Sequence, residues 1–233
     1  LIQLNKHLEV LYLKFTFLTD PLQKFFFFIH GGIHTLIPNN NLSYGLTIII
    51  FTVIIRLILL PLSVKQLKST AKMGAIQPEM KKVQAKYKSD PQKAQQEVMK
   101  LYKENGVNPM GGCLPMLIQM PILFALYAVF QNLNMQGAGF LWMKDLTKAD
   151  PIYILPILST VTTYFSSKLM QPPSADGAQS KQSSTMYTGM AIFMGFMSLK
   201  FKGALVLYWV INNIVQIVQT LVINKVELQN KES

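Results

Sequence analysis

The chain has 233 residues, half of them apolar and only 14% charged, with a net charge of +11. With a mean hydropathy of +0.28, this excludes an ordinary soluble core and indicates a membrane protein. The positive charge is not spread as a nucleic-acid surface requires, because ten lysines sit in residues 65–110, between apolar stretches. There they read as a topology signal facing the cytoplasm and its anionic lipids.

Taken in order, residues 1–42 form an N-terminal segment. Its first 20 residues mix charges with apolar side chains and have no run long enough to span. PLQKFFFFIHGGIHTLIP follows, interrupted by Gly31-Gly32, and reads as an interfacial amphipathic helix on the outer face. His30 and His34 are i, i+4, but no third ligand lies nearby, so interfacial histidines fit better than a metal pair. Cys113 is the single cysteine, which excludes an internal disulfide, and no Cys/His cluster has metal-ligand spacing. No cofactor or metal is expected.

Residues 43–64, SYGLTIIIFTVIIRLILLPLSV, are long enough to cross a bilayer, which takes roughly 20 apolar residues. They carry Arg56, the only arginine of the chain, and no other apolar stretch holds an Asp or Glu to pair with it. Its guanidinium stays charged. Two readings stand. One is snorkelling, over the roughly 12 Å to Val64 at ~1.5 Å per residue, a path that Pro61 shortens by breaking the helix. The other is a water-filled recess, supported by Gly45, Thr52, Arg56 and Ser63 on one helical arc.

Residues 65–110 read as a cytoplasmic helical hairpin. One helix bends near Pro78, a turn follows at Ser89-Asp90-Pro91, and a second helix stops at Gly106. Val83, Tyr87, Val98, Leu101 and Tyr102 are the expected apolar seam. The second span is 113–132, kinked by Pro115 and Pro121, with Gln119 polar in mid-segment. An external loop, 133–150, places Trp142 as an interfacial anchor. The third span, 151–169, carries the stripe Ser159, Thr162, Thr163 and Ser166, whose hydroxyls either back-bond to their own helix or pack against a neighbour, or else line water.

A flexible cytoplasmic loop, 170–184, precedes the methionine-rich fourth span, 185–199. A tight hairpin leads to the fifth, 203–224, and a cytoplasmic tail, 225–233. Trp209, Asn212, Gln216 and Gln219 fall on one side of the fifth span, where amides against lipid tails are costly. The expected fold is therefore an all-α membrane protein: five transmembrane helices, a cytoplasmic helical hairpin and an N-terminal interfacial helix. The N-terminus lies outside and the C-terminus in the cytoplasm.

Four segments, YGLTIIIFTVIIRLILLPLSVKQLKS, IQPEMKKVQAKYK, GVNPMGGCLPMLIQMPILFALY and LVLYWVINNIVQ, resemble the bacterial YidC-type membrane protein insertases, relatives of the mitochondrial Oxa and chloroplast Alb insertases. They occur in the family's order over roughly residues 20–225. The resemblance is to the short Gram-positive form, without a large extracytoplasmic domain, in a bacterial plasma membrane. It implies five core helices around a hydrophilic groove, open to cytoplasm and lipid and closed outside. Arg56 matches the groove arginine that attracts acidic residues of a substrate tail. Trp209 matches a groove position in the family's YW pair, Gln119 matches its LIQMP motif, and the hairpin helps receive substrate. A greasy face of the third and fifth helices guides the apolar segment into lipid. Lys202 departs from the pattern, since relatives often place a proline or small residue there.

Together these readings give a groove of Arg56, Thr52, Gln119, Thr162, Trp209, Asn212 and Gln216, with no catalytic residue. The expected partners are nascent or newly made membrane proteins and the lipid bilayer, with the ribosome and the Sec translocon beside them, and no nucleic-acid substrate. A small anion transporter or channel using Arg56 as counter-charge is the alternative, though no inverted repeat accompanies it. A membrane enzyme fits poorly, since the spans hold no Asp, Glu or His.

Overall fold

The computed structural model describes residues 2–108, 114–133, 135, 137–170 and 178–232. Among the described residues it forms eight helices: α1 (Ile2–Leu36), α2 (Asn40–Ile58), α3 (Leu60–Lys86), α4 (Pro91–Glu104), α5 (Leu114–Asn132), α6 (Ile154–Leu169), α7 (Ala178–Ser198) and α8 (Gly203–Glu232). Two stretches, Asn40–Ile58 and Gly203–Val226, are long and apolar enough to cross a bilayer, with mean hydropathies of 1.9 and 1.6. α8 is the hub. It packs on α2, α5 and α6, while α1 bridges α2 to α5 and α7 lies on α6.

α6 shows why this bundle suits lipid. Ile157, Val161 and Phe165 face outward and are exposed, while Ser159, Thr162, Thr163 and Ser166 are buried. A helix of a soluble protein shows the reverse arrangement. With polar groups turned inward and apolar ones outward, α6 is matched to a hydrocarbon solvent.

The apolar core gathers at one end of the bundle. Phe26 packs edge-on to Phe51 and Phe130, with ring centroids 5.7 and 5.8 Å away. Leu126, Val129, Leu155 and Tyr208 join them, and Met135, Phe140, Met143 and Leu146 of the 133–150 loop press on the same cluster. The loop is pinned by backbone bonds. Gly203 N–H donates to Lys148 O at 2.8 Å and Ala204 N–H to Leu146 O at 2.9 Å. Gly139 N–H donates to Asn41 Oδ1 at 2.8 Å, tying the loop to the start of α2. An added Cβ on Gly45 would strike the Phe140 ring, so only glycine lets the loop approach α2 this closely. Lys202, the departure from the family pattern, reaches Phe130 O at 3.4 Å and sets a cation at the C-terminal end of α5.

Several helix ends differ from the sequence-based expectations. α1 is one continuous helix through Pro21 and Gly31-Gly32, not a short interfacial piece after an irregular lead. α2 stops at Ile58, six residues before Val64, and a single residue, Leu59, joins it to α3. Pro61 explains this: it lacks an N–H and its ring opposes the carbonyl four residues back, which suits the first turn of a new helix. α3 then runs through Pro78 without ending. α7 begins at Ala178, inside the expected 170–184 loop, because AQSKQSST holds neither Gly nor Pro. The remainder of that loop, 171–177, lies outside the described residues. α8 continues to Glu232 for the same lack of breakers.

The hairpin seam is formed by Ile76, Met80, Tyr102 and Val107, with Met73, Val98 and Leu101 against them. Val98, Leu101 and Tyr102 were expected there. Val83 and Tyr87 lie a turn or more beyond it, and Tyr87 instead sits under Lys86 and Lys93, each 5.3 Å from its ring. Asp90 caps α4 as the turn chemistry demands, accepting from Lys93 N–H at 3.0 Å.

His30 and His34 are held in the α1–α2 turn. Their ring nitrogens lie 3.3 and 3.4 Å from Ser43 Oγ, and His30 stacks on Tyr44 with centroids 4.0 Å apart. Burial, and secondarily the neighbouring His34, hold the His30 pKa below its ordinary value. The fold therefore prefers neutral His30. Its contribution is present above the ordinary histidine pKa and is lost as pH falls through the lowered one. Amide exchange over residues 30–44, corrected for intrinsic rate, should rise from pH 7 to pH 5, and His30→Gln should abolish that rise.

Asp150 is the buried anchor of the loop. Its carboxylate accepts from Leu155 N–H at 2.7 Å, Ile152 N–H at 3.2 Å and the Trp142 indole N–H at 3.2 Å. Trp142 is thus bonded into the protein rather than acting only as an anchor to the interface. Asp150→Ala should cost about 1–3 kcal/mol, from three donors losing a charged acceptor. A lowered thermal transition in detergent is the measurement.

Candidate functional site

Just beyond Ile55 and Ile211, which pack on the edge of the apolar core, polar side chains replace aromatic ones. Arg56 sits in the last turn of α2, 8% exposed. Its Nε–H donates to Asn212 Oδ1 at 2.6 Å and its Nη2–H to Gln216 Oε1 at 2.8 Å. Both acceptors are neutral amides of α8, one turn apart. Gln219, the next amide on that face, donates through Nε2 to the Arg56 carbonyl at 3.2 Å. Its own Oε1 is buried without a hydrogen-bond partner. Gln216 Nε2 also contacts the Met170 sulfur at the end of α6.

This clamp solves a specific problem. Burying a cation with unpaired N–H groups is costly, and hydrogen bonds to its charged form are among the strong ones. Amide oxygens satisfy the donors yet leave the charge uncancelled. Guanidinium carries five N–H donors. The three that Asn212 and Gln216 do not take have no hydrogen-bond acceptor among the described residues, although Tyr208 is near enough to interact with the charge.

The neighbouring face of α8 does a different job. Asn213 follows Asn212 and therefore points about 100° away, toward α6. Its Nδ2 donates to Thr163 Oγ1 at 2.9 Å and Thr162 Oγ1 at 3.2 Å, and the Trp209 indole N–H also donates to Thr163 Oγ1 at 2.9 Å. On the other side of α6, Ser198 Oγ donates to Ser159 Oγ at 3.0 Å. Three of the four hydroxyls of the α6 stripe, Ser159, Thr162 and Thr163, thus bond from helix to helix, one of the readings its spacing allowed. Gly195 assists, since an added Cβ there would strike Thr160 Oγ1 and force α7 away from α6.

The predicted site residues therefore divide. Arg56, Asn212 and Gln216 come together by direct hydrogen bonds. Trp209 and Thr162 belong to the adjacent α6–α8 junction. Thr52 is fully buried and donates to Ile48 O at 2.6 Å, so its hydroxyl is used within its own helix. Gln119 lies on α5, with its side chain outside the described residues. Sequence reasoning missed Asn213. The adjacent amides of the pair were the available signal: consecutive positions on a helix cannot share a neighbour, so a second contact face had to exist.

Thr163→Val should leave the Trp209 indole and Asn213 amide donors short of one buried acceptor. A loss of about 1–2 kcal/mol follows, near the upper end for polar contacts between membrane helices. Thermal unfolding in detergent, with Trp209 fluorescence as reporter, checks it.

Known proteins are similar to this chain along most of its length. Residues 36–231 match the family model described as 60Kd inner membrane protein. The chain is 50% identical to the membrane protein insertase YidC of Clostridium tetani over 211 residues, which is 90% of this chain and 94% of that relative. It is 51% identical to YidC of Clostridium perfringens over 210 residues, 86% of this chain and 88% of the relative. Among solved structures it is similar to an active YidC insertase crystal structure with the first transmembrane domain resolved, with a TM-score of 0.67 and 31% identity. That match covers 88% of this chain but 45% of the solved one, so the chain spans less than half of that structure's length. On a family match over most of its length and close relatives along nearly all of theirs, this chain belongs to the YidC family of membrane protein insertases, multi-pass proteins of the bacterial plasma membrane.

Proposed function

We propose that this chain inserts newly made membrane proteins, receiving them at the polar end of the bundle and releasing them sideways into lipid. Its five spans are α2, α5, α6, α7 and α8. The lysine-rich hairpin of α3 and α4 then lies in the cytoplasm, the N-terminus lies outside and the C-terminus inside. The chemistry is transfer without bond cleavage, in keeping with relatives that are insertases.

One observation carries the mechanism: an intramembrane arginine whose hydrogen-bonding partners are amides and not carboxylates. The protein leaves Arg56 with a net charge that an incoming acidic tail can neutralise. At an effective dielectric near 20, a carboxylate about 4 Å away gains on the order of 4 kcal/mol before desolvation. That holds a short tail for a time without trapping it. The apolar core that flanks it on the side covered by the 133–150 loop supports a recess open on one side only. The tail enters from the cytoplasm and the following apolar segment partitions into lipid, which draws it away from the site.

Because Arg56 is the only arginine, phenylglyoxal can modify no other guanidinium. Intact protein in proteoliposomes should gain one adduct on Arg56, and a peptide carrying two aspartates should slow that reaction. Arg56→Ala and Arg56→Glu should reduce insertion of a substrate with a short acidic tail by about tenfold or more, as expected for losing a short-range charge pair. Unchanged acidic-tail insertion by Arg56→Glu would overturn electrostatic capture.

A further inference from the structure

Asn212 and Gln216 occupy a particular part of Arg56. Nε–H and one Nη2–H lie along a single edge of the guanidinium, and these are the donors the two amides take, at 2.6 and 2.8 Å. The edge formed by Nη1 and the second Nη2 hydrogen has no hydrogen-bond acceptor among the described residues. It presents two parallel N–H groups, the geometry that a carboxylate fits in bidentate fashion. The amides themselves are fixed. Asn212 is 5% exposed, Gln216 is further held by its contact with Met170, and Gln219 ties the Arg56 backbone to the same helix.

We infer that Asn212 and Gln216 are specificity-determining positioning residues, whose neutral oxygens hold one edge of Arg56 so that its charge and its other edge are kept for the carboxylate of an incoming segment. The inference rests on Arg56 being the capture site. Neutrality is its essential part. Both residues differ from an acid by a single group, NH2 against O, so Asn212→Asp and Gln216→Glu keep size and acceptor while adding an internal counter-charge. Such a protein would carry its own permanent occupant.

The test uses full-length protein in proteoliposomes and a single-span substrate in matched forms, with two aspartates or two asparagines in its N-terminal tail. The readout is the ratio of acidic-tail to neutral-tail insertion, which a merely structural defect lowers in both forms alike. In Asn212→Asp and Gln216→Glu the ratio should fall by about tenfold, toward that of Arg56→Ala, because a fixed carboxylate competes at the same short range. Slower phenylglyoxal modification of Arg56 in both variants is the accompanying result. If Arg56→Ala loses the preference and both carboxylate variants keep it, the positioning role is wrong while the capture role of Arg56 stands. If Arg56→Ala keeps the preference, the capture reading itself fails. Loss of the thermal transition in detergent by both carboxylate variants also counts against the inference, since an isosteric acid beside a buried cation should be accommodated.

Discussion

Everything in this molecule is arranged around one guanidinium being bonded without being neutralised. A buried arginine normally meets a carboxylate, and the pair becomes structurally inert. Here the acceptors are the amide oxygens of Asn212 and Gln216. Hydrogen bonding and charge compensation are separate requirements, and this site meets the first while leaving the second open. An ion pair would have fixed α2 to α8 more simply. The amide alternative fixes the helices and leaves the charge uncancelled among the described residues.

Keeping such a site requires a bundle that is rigid around it and asymmetric along its axis. Rigidity comes from α8, which spends consecutive residues on different neighbours. Asn212 serves α2, while Asn213 and Trp209 serve the hydroxyls of α6. Asymmetry comes from the 133–150 loop, whose Phe140, Met143 and Leu146 fill the end where α2, α6 and α8 begin and α5 finishes. The short junction at Leu59 adds a further constraint, because it leaves little slack between the Arg56 turn and the charged hairpin.

Much of this was legible in residue order. Arg56 stood out because the chain holds one arginine and its apolar stretches hold no acid. The amide face of α8 stood out because three amides on one side of an apolar helix need a reason. The turn at Asp90-Pro91 and the break at Pro61 followed from what proline and an N-cap do to a backbone. What was not legible depended on pairing across distance in the chain. Nothing local to Thr163 says that two donors from α8 converge on it, and nothing local to Asp150 says that Trp142 will turn back to it. The continuous α1 was also hidden, since local rules penalise Pro21 and paired glycines, while docking of Phe26 against Phe51 and Phe130 is a tertiary effect. The hairpin seam slipped by about two turns on α3 for a related reason: its lysine-rich surface has weak periodicity, and contact with α4 chose among several equivalent faces.

The packed rings and thioethers behind Phe140 and Met143 have a bearing on energy metabolism. A bacterium stores work as a difference in proton or sodium concentration across this membrane, and any continuous thread of water would dissipate it. Because Phe26, Phe130, Met135 and Leu146 pack together where the 133–150 loop covers the bundle, that end is closed by side chains that offer water no hydrogen bond. Tight apolar packing is therefore as much an electrical insulator as a source of stability.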